Sequence, residues 1–142
     1  MTNVLLDTDM ILDFFFDRKP YSEHSAKVLS LCELNEIKGY ITPVILSNLY
    51  YLLRQTSTHE RVLDKLSQLL SITDILIIDR TSIIQALNSG LKDFEDALQN
   101  YSAESGGFIN LIITRNLKDF KNSSLSVMTP EDYLKTRIAN TW

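Results

Sequence analysis

The chain has 142 residues, 44% of them apolar and 23% charged, with four Gly and three Pro, which excludes a disordered or low-complexity chain and allows one domain, residues 1–142, around a single core. Lys plus Arg number 14 against 18 Asp plus Glu, a net charge of -4, which excludes tight nonspecific duplex binding through a basic face. A nucleic-acid enzyme whose positive charge comes from a metal ion stays open.

Val4-Leu5-Leu6 is a brief apolar run ending at Asp7 and reads as a buried strand. Thr8 or Asp9 can cap the helix expected over Met10 to Phe16, which Arg18-Lys19-Pro20 breaks. From Ser22 to Asn35 the apolar residues fall on one helical face, and Gly39 stops that segment. Gly39-Tyr40-Ile41-Thr42 reads as a second strand. Pro43 then suits the first position of a helix whose buried face is Ile45, Leu46, Leu49, Tyr50, Leu52 and Leu53. Thr58 can cap a helix over His59 to Leu70. Ile75-Leu76-Ile77-Ile78 reads as a third strand, apolar on both faces and ending at Asp79. A short helix over Thr81 to Asn88 closes at Gly90, and Asp93 opens another, running to about Ser105 and ended by Gly106-Gly107. Phe108 to Thr114 holds the fourth strand and Ser126-Val127-Met128 the fifth. Thr129 caps a last helix with Pro130 at its first position.

Strands that alternate with helices and read apolar on both sides imply an α/β fold in three layers, a mostly parallel sheet covered on both faces. The apolar runs are too short for a transmembrane helix, so no membrane partner is expected. Met1-Thr2-Asn3-Val4 has no positive n-region, so no signal peptide is expected. Cys32 is the single cysteine, which excludes an internal disulfide and a cysteine-rich zinc site and favours a reducing cytoplasm.

Open parallel sheets bind ligands beyond the carboxyl ends of their strands, so the polar residues there carry the functional reading. Asp7 and Asp9 follow the first strand. Thr42 follows the second, with Ser47 and Asn48 about a turn later. Arg115, Asn116 and Asp119 follow the fourth, and Asp93-Phe94-Glu95-Asp96 opens the helix before it. Carboxylates gathered without balancing bases repel one another unless a hard divalent cation binds them. Oxygen donors with no His or Cys cluster suit Mg²⁺ or Mn²⁺, which activates water toward a phosphodiester.

Each residue also has a structural reading. Asp7 suits a helix cap, Asp93 with Asp96 has the spacing of a cap and its partner, and Asp119 suits a turn. Asn48 suits a local bond. Glu95 reads as a solvated helix residue, and Asp13 and Asp17 as surface or capping residues. His24 and His59 read as surface residues, Cys32 as a core thiol, and Tyr50 and Tyr51 as core before base-stacking. Arg115, Lys118 and Lys121 form a small basic cluster beside the acids, either a solvated face or a steering patch for phosphates.

Three stretches resemble those of a PIN domain, and in the same order: Val4-Leu5-Leu6-Asp7-Thr8-Asp9, Asp93-Phe94-Glu95-Asp96-Ala97-Leu98, and Thr114-Arg115-Asn116-Leu117-Lys118-Asp119-Phe120. The ending Val127-Met128-Thr129-Pro130-Glu131-Asp132-Tyr133 fits as well. The resemblance implies a PIN-like α/β fold of about five strands and a metal-dependent ribonuclease, the VapC-like toxin of a toxin–antitoxin pair. Its partners would be RNA and a cognate antitoxin. It also implies that Asp7, Asp96 and Asp119 hold Mg²⁺ or Mn²⁺, that Asn116 helps, and that Asp93 lies further out, with Arg115 and Lys118 toward RNA. Where the family commonly has a Glu on the helix after the second strand, Asn48 stands here, able to ligate through its carbonyl oxygen without adding charge.

Two other readings compete. A haloacid-dehalogenase-like phosphatase would use Asp7 and Asp9, which have its DxD spacing, although the chain is short and offers no convincing Lys partner. A catalytically weak PIN-like module would bind RNA or protein. Phe14, Phe15, Phe16, Tyr50 and Tyr51 exceed the needs of a small core and favour a homodimer or an antitoxin-binding face.

Overall fold

The computed structural model describes residues 1–139. Its first strand, β1 (Thr2–Leu6), is the centre of a five-stranded sheet in the order β3-β2-β1-β4-β5, every pair parallel. The others are β2 (Ile37–Ile41), β3 (Thr73–Ile75), β4 (Leu111–Ile113) and β5 (Ser126–Met128). Val4, Leu5 and Leu6 are fully buried because β1 has a neighbour on each side and helices over its faces.

The helices are α1 (Thr8–Phe15), α2 (Tyr21–Glu33), α3 (Pro43–Arg54), α4 (His59–Ile72), α5 (Arg80–Leu87), α6 (Phe94–Gly106) and α7 (Pro130–Ala139), with a 3-10 turn over Leu117–Phe120. Local chemistry sets their starts. Thr42 accepts from the Ile45 N–H at 3.1 Å, with Pro43 following at the first helical position. Thr58 accepts from Arg61, Asp79 from Ser82 and Thr129 from Asp132 in the same manner. Gly107, at φ 74°, ends α6 in the left-handed conformation that glycine adopts freely. Contacts divide the helices into two sets: α1, α2, α3, α4 and α7 pack together, and α5 packs on α6.

The chain runs outward through β1, β2 and β3, then crosses to β4 and β5 on the other side. The reversal falls between β1 and β4, which makes their carboxyl ends the crevice of the sheet.

Several expectations shift. The third strand is Thr73–Ile75, not Ile75 to Ile78: α4 runs on to Ile72, Gly39–Ile41 pairs with Thr73–Ile75, and Ile77 is 76% exposed. The pairing ends where β2 ends, at Ile41, so most of the apolar run lies beyond the strand, with Leu76 buried and Ile77 exposed. β4 is shorter than Phe108 to Thr114: the Asn110 N–H bonds the Asn3 carbonyl at 2.8 Å, but the Asn3 N–H goes to Asn110 Oδ1 at 2.8 Å rather than to a backbone carbonyl. Gly39 lies within β2. The turn after α2 belongs to Asn35 at φ 58°, a conformation Asn tolerates. Asp7 rather than Thr8 or Asp9 caps α1, accepting from the Thr8 N–H at 2.9 Å.

Candidate metal centre at the carboxyl edge of the sheet

Asp7 follows β1 directly, and Thr114 follows β4. Because Leu6 pairs with Ile113, the next residues along both strands stand side by side. The Thr114 hydroxyl donates to Asp7 Oδ2 at 2.7 Å, the Thr8 N–H donates to Oδ1 at 2.9 Å, and the Asp7 N–H donates to the Ile113 carbonyl at 3.0 Å. Asp7 is thereby fixed and 4% exposed. Further along the same loop, the Asn116 N–H donates to Thr114 Oγ1 at 3.0 Å, and the Asn116 side-chain amide donates to Asp9 Oδ2.

The edge opens into a cleft of about 410 Å³. Its lining is Asp7, Thr8, Asp9, Asn48, Tyr51, Leu52, Asp93, Glu95, Asp96, Asn116 and Asp119: six carboxylates and no Lys or Arg. Four elements supply them. Asp7, Thr8 and Asp9 come from the start of α1, and Asn48 with Tyr51 from α3. Asp93, Glu95 and Asp96 come from the first turn of α6, and Asn116 and Asp119 from the turn after β4.

The electrostatics follow from the crowding. Burial pushes the Asp7 carboxyl up to about 6, against the pull of the Thr114 hydrogen bond, with Asp9 and Glu95 adding repulsion. Asp96 is pushed up to about 8, first by burial and then by Asp7, Asp93, Asp119 and Glu95 around it. Glu95 is raised by burial and by Asp93 and Asp9, while bonds from Asn48 and Thr8 hold it down. Two carboxyls thus sit near or above neutrality, first because they are buried and then because like charges face them.

By donor type these residues suit a hard divalent cation, since they are all oxygens and their charge is unbalanced. Among the described residues, no three His, Cys, Asp or Glu side chains are grouped closely enough to hold an ion as they stand. The half-buried Asp96 and the exposed Asp119 have freedom to adjust, whereas Asp7 is held through both oxygens.

A family model described as PIN domain matches residues 3–118, most of the chain and every residue lining the cleft except Asp119. The chain belongs to the PIN domain family. No curated protein matches its sequence. The fold is similar to solved structures of toxin–antitoxin systems. VapBC-1 from nontypeable Haemophilus influenzae has a TM-score of 0.69 at 15% identity, covering 92% of this chain and 99% of that one. DNA-bound VapBC from Salmonella typhimurium has a TM-score of 0.67 at 21% identity over the same shares, 92% and 99%. A toxin–antitoxin complex from Klebsiella pneumoniae has a TM-score of 0.65 at 24% identity, covering 89% and 97%. Membership of the PIN family sets aside the phosphatase alternative.

In this PIN domain the cleft gathers seven residues singled out from the sequence: Asp7, Asp9, Asn48, Asp93, Asp96, Asn116 and Asp119. Asp93, at the wall of the cleft, also caps α6, accepting from the Asp96 N–H at 3.0 Å. Lys118 is exposed on the 3-10 turn beside Asp119. The Arg115 side chain goes elsewhere: its guanidinium is bound by Asp13 at 2.6 and 3.0 Å.

Three readings of single residues are corrected. Glu95 is a half-buried member of the cleft rather than a solvated helix residue, because the first turn of α6 faces α1, where the Thr8 hydroxyl reaches Glu95 at 3.5 Å. Asp13 is 0% exposed rather than on the surface, because two arginines enclose it. Tyr51 is 68% exposed at the rim of the cleft rather than in the core; Tyr50, packed against it, is the more buried of the two. Thr114, which sequence reading treats only as part of a longer motif, is the direct partner of Asp7. Its signal is its place: it ends the strand next to the one that Asp7 ends.

Proposed function

We propose that this PIN domain is a metal-dependent endoribonuclease that hydrolyses RNA phosphodiesters and serves as the toxin of a type II toxin–antitoxin pair. The observation that carries the reading is the lining of the cleft, six carboxylates with no cation among them at the carboxyl ends of β1 and β4. Asp7, Asp96 and Asp119 would hold Mg²⁺ or Mn²⁺, with Asn48 offering a neutral carbonyl oxygen. Asp9, Asp93 and Asn116 support them. When bound, the ion supplies the charge that lowers the pKa of water and offsets that of the phosphodiester.

The chain's own groups divide the remaining work. Thr8 and Thr114 fix the orientation of Asp7. Asn116 holds Asp9 in place. Lys118 is placed to meet a phosphate entering beside Asp119, and the exposed Tyr51 ring to meet a base at the rim. The Klebsiella relative belongs to a toxin–antitoxin complex, and an antitoxin partner is proposed here on that likeness. An apolar groove with Phe14, Phe15, Leu29 and Leu69 in its walls, and the exposed Ile84 and Leu87 of α5, offer surface for an antitoxin or for a homodimer. The proposed location is the cytoplasm.

Incubation with a mixed RNA pool and Mn²⁺ tests this reading. Cleavage is expected with metal, none in EDTA, and a loss of at least about a hundredfold in Asp7→Asn and Asp96→Asn. Asn48 in the place of a carboxylate favours the second reading, a weak module that binds RNA or protein. That reading stands if the pool is left intact and Mn²⁺ does not bind.

A further inference from the structure

Asp13 is the most deeply buried carboxylate outside the cleft, 0% exposed on the second turn of α1. A buried carboxylate is costly unless it is paired and hydrogen-bonded. Arg115 meets both oxygens in a fork, Nε to Oδ2 at 2.6 Å and an Nη to Oδ1 at 3.0 Å. Arg18 approaches Oδ1 at 3.5 Å from the end of α1. The face of the Tyr21 ring lies 4.2 Å from the Arg115 guanidinium carbon and closes the other side of the pair.

The position of Arg115 gives the pair its meaning. It lies between Thr114, which donates to Asp7, and Asn116, which donates to Asp9. Asp119, another wall of the cleft, hangs from the same loop through its N–H bond to the Asn116 carbonyl at 3.1 Å. The loop after β4 and the start of α1 together supply Asp7, Asp9, Asn116 and Asp119. The three carboxylates among them repel one another, which works against the Thr114–Asp7 and Asn116–Asp9 bonds between the two segments when no cation is bound. The Asp13–Arg115 fork joins them, one attractive pair of full charges set behind a cluster of like charges.

We infer that Asp13 and Arg115 are positioning residues of the acidic cleft, a clamp that ties the loop after β4 to α1 and holds Thr114, Asn116 and Asp119 in register with Asp7 and Asp9. Arg115 on this account serves the site through the loop, not through RNA. The catalytic consequence rests on the nuclease reading above; the geometric one does not.

Two measurements on the full chain test the clamp in Arg115→Lys, Asp13→Asn, and the double variant Asp13→Asn/Arg115→Gln, which keeps a neutral hydrogen bond and guards against simple unfolding. The first is amide hydrogen exchange without metal. Protection of the Asn116 and Asp119 N–H groups should fall by about tenfold or more while amides of β1 and β2 keep theirs. The second is Mn²⁺ titration with cleavage kinetics. Metal affinity should fall by about tenfold, and kcat should fall while KM for RNA changes less than about twofold. Exchange in the loop as slow as in the parent chain would overturn the clamp, as would uniform loosening of the whole sheet. So would a salt-dependent rise in KM with unchanged metal affinity, which would give Arg115 to RNA. If the parent chain binds no Mn²⁺, the nuclease reading fails and the exchange result alone decides the clamp.

Discussion

A single hydrogen bond at Asp7 shows how the site is built residue by residue. Without the Thr114 hydroxyl, Asp7 Oδ2 has lost its 2.7 Å partner in a buried place. Thr114→Val should therefore cost about 1–3 kcal/mol in urea denaturation. Because that hydroxyl holds the Asp7 carboxyl down, its removal should also push the carboxyl above about 6 and move the pH onset of Mn²⁺ binding upward. Gly39 makes a different demand. A Cβ there would stand 2.7 Å from Cys32 Sγ and 3.2 Å from Leu6 Cδ1, so α2 approaches β2 over a position with no room for a side chain. Gly39→Ala should destabilise the fold by about 1–3 kcal/mol, and Cys32→Ala in the same chain should recover a good part of it in thermal melts. A Gly39→Ala melt equal to that of the parent would contradict the packing.

At the scale of elements, the parts legible in the sequence are those whose causes are local. Thr58, Asp93 and Thr129 cap helices within three residues of themselves, and each reads correctly from its neighbours. Thr42 and Asp79 cap theirs in the same way, although the sequence marks them only as strand ends. The strand ending at Asp7 and the loop from Thr114 to Asp119 read correctly because an apolar run meets a polar one. The errors fall where the cause is distant. Arg115, which forks onto Asp13, is 102 residues from it and Thr114 is 107 from Asp7, so neither bond leaves a local trace. The Ile75 to Ile78 run misleads because the distant end of β2 at Ile41 decides where the third strand stops, and hydropathy does not carry that. Seven residues of the cleft are visible in the sequence as types, and only the sheet order brings them together. α3 offers the sharpest test at this scale. Asn48→Glu would add the charge that the PIN resemblance expects, and Mn²⁺ affinity should rise by about tenfold or more in calorimetric titration. No rise would mean that α3 does not serve the ion.

For the whole molecule, the cleft makes stability depend on pH. Asp7 and Asp96 are held at about 6 and about 8 in the fold, against 3.8 for the ordinary carboxyl. A raised folded value means that the fold binds more protons than the unfolded chain. The contribution is therefore full below about pH 4 and is lost as pH rises through about 6 and then about 8. In EDTA the melting temperature should fall by several degrees between pH 5 and 8.5. Saturating Mn²⁺ should flatten or reverse that slope, since a cation takes the place of the protons. A flat profile in EDTA would show that the carboxyls are not crowded as described.

The most direct measurement is isothermal titration of Mn²⁺ into the full chain at pH 7, in two buffers of different ionisation enthalpy. Saturable binding is expected, abolished or weakened by at least about a hundredfold in Asp7→Asn and Asp96→Asn. Binding should also release a proton, because Asp96 at about 8 is largely protonated at that pH. No saturable heat, or binding that both variants leave unchanged, would contradict the assignment of this cleft as a metal centre.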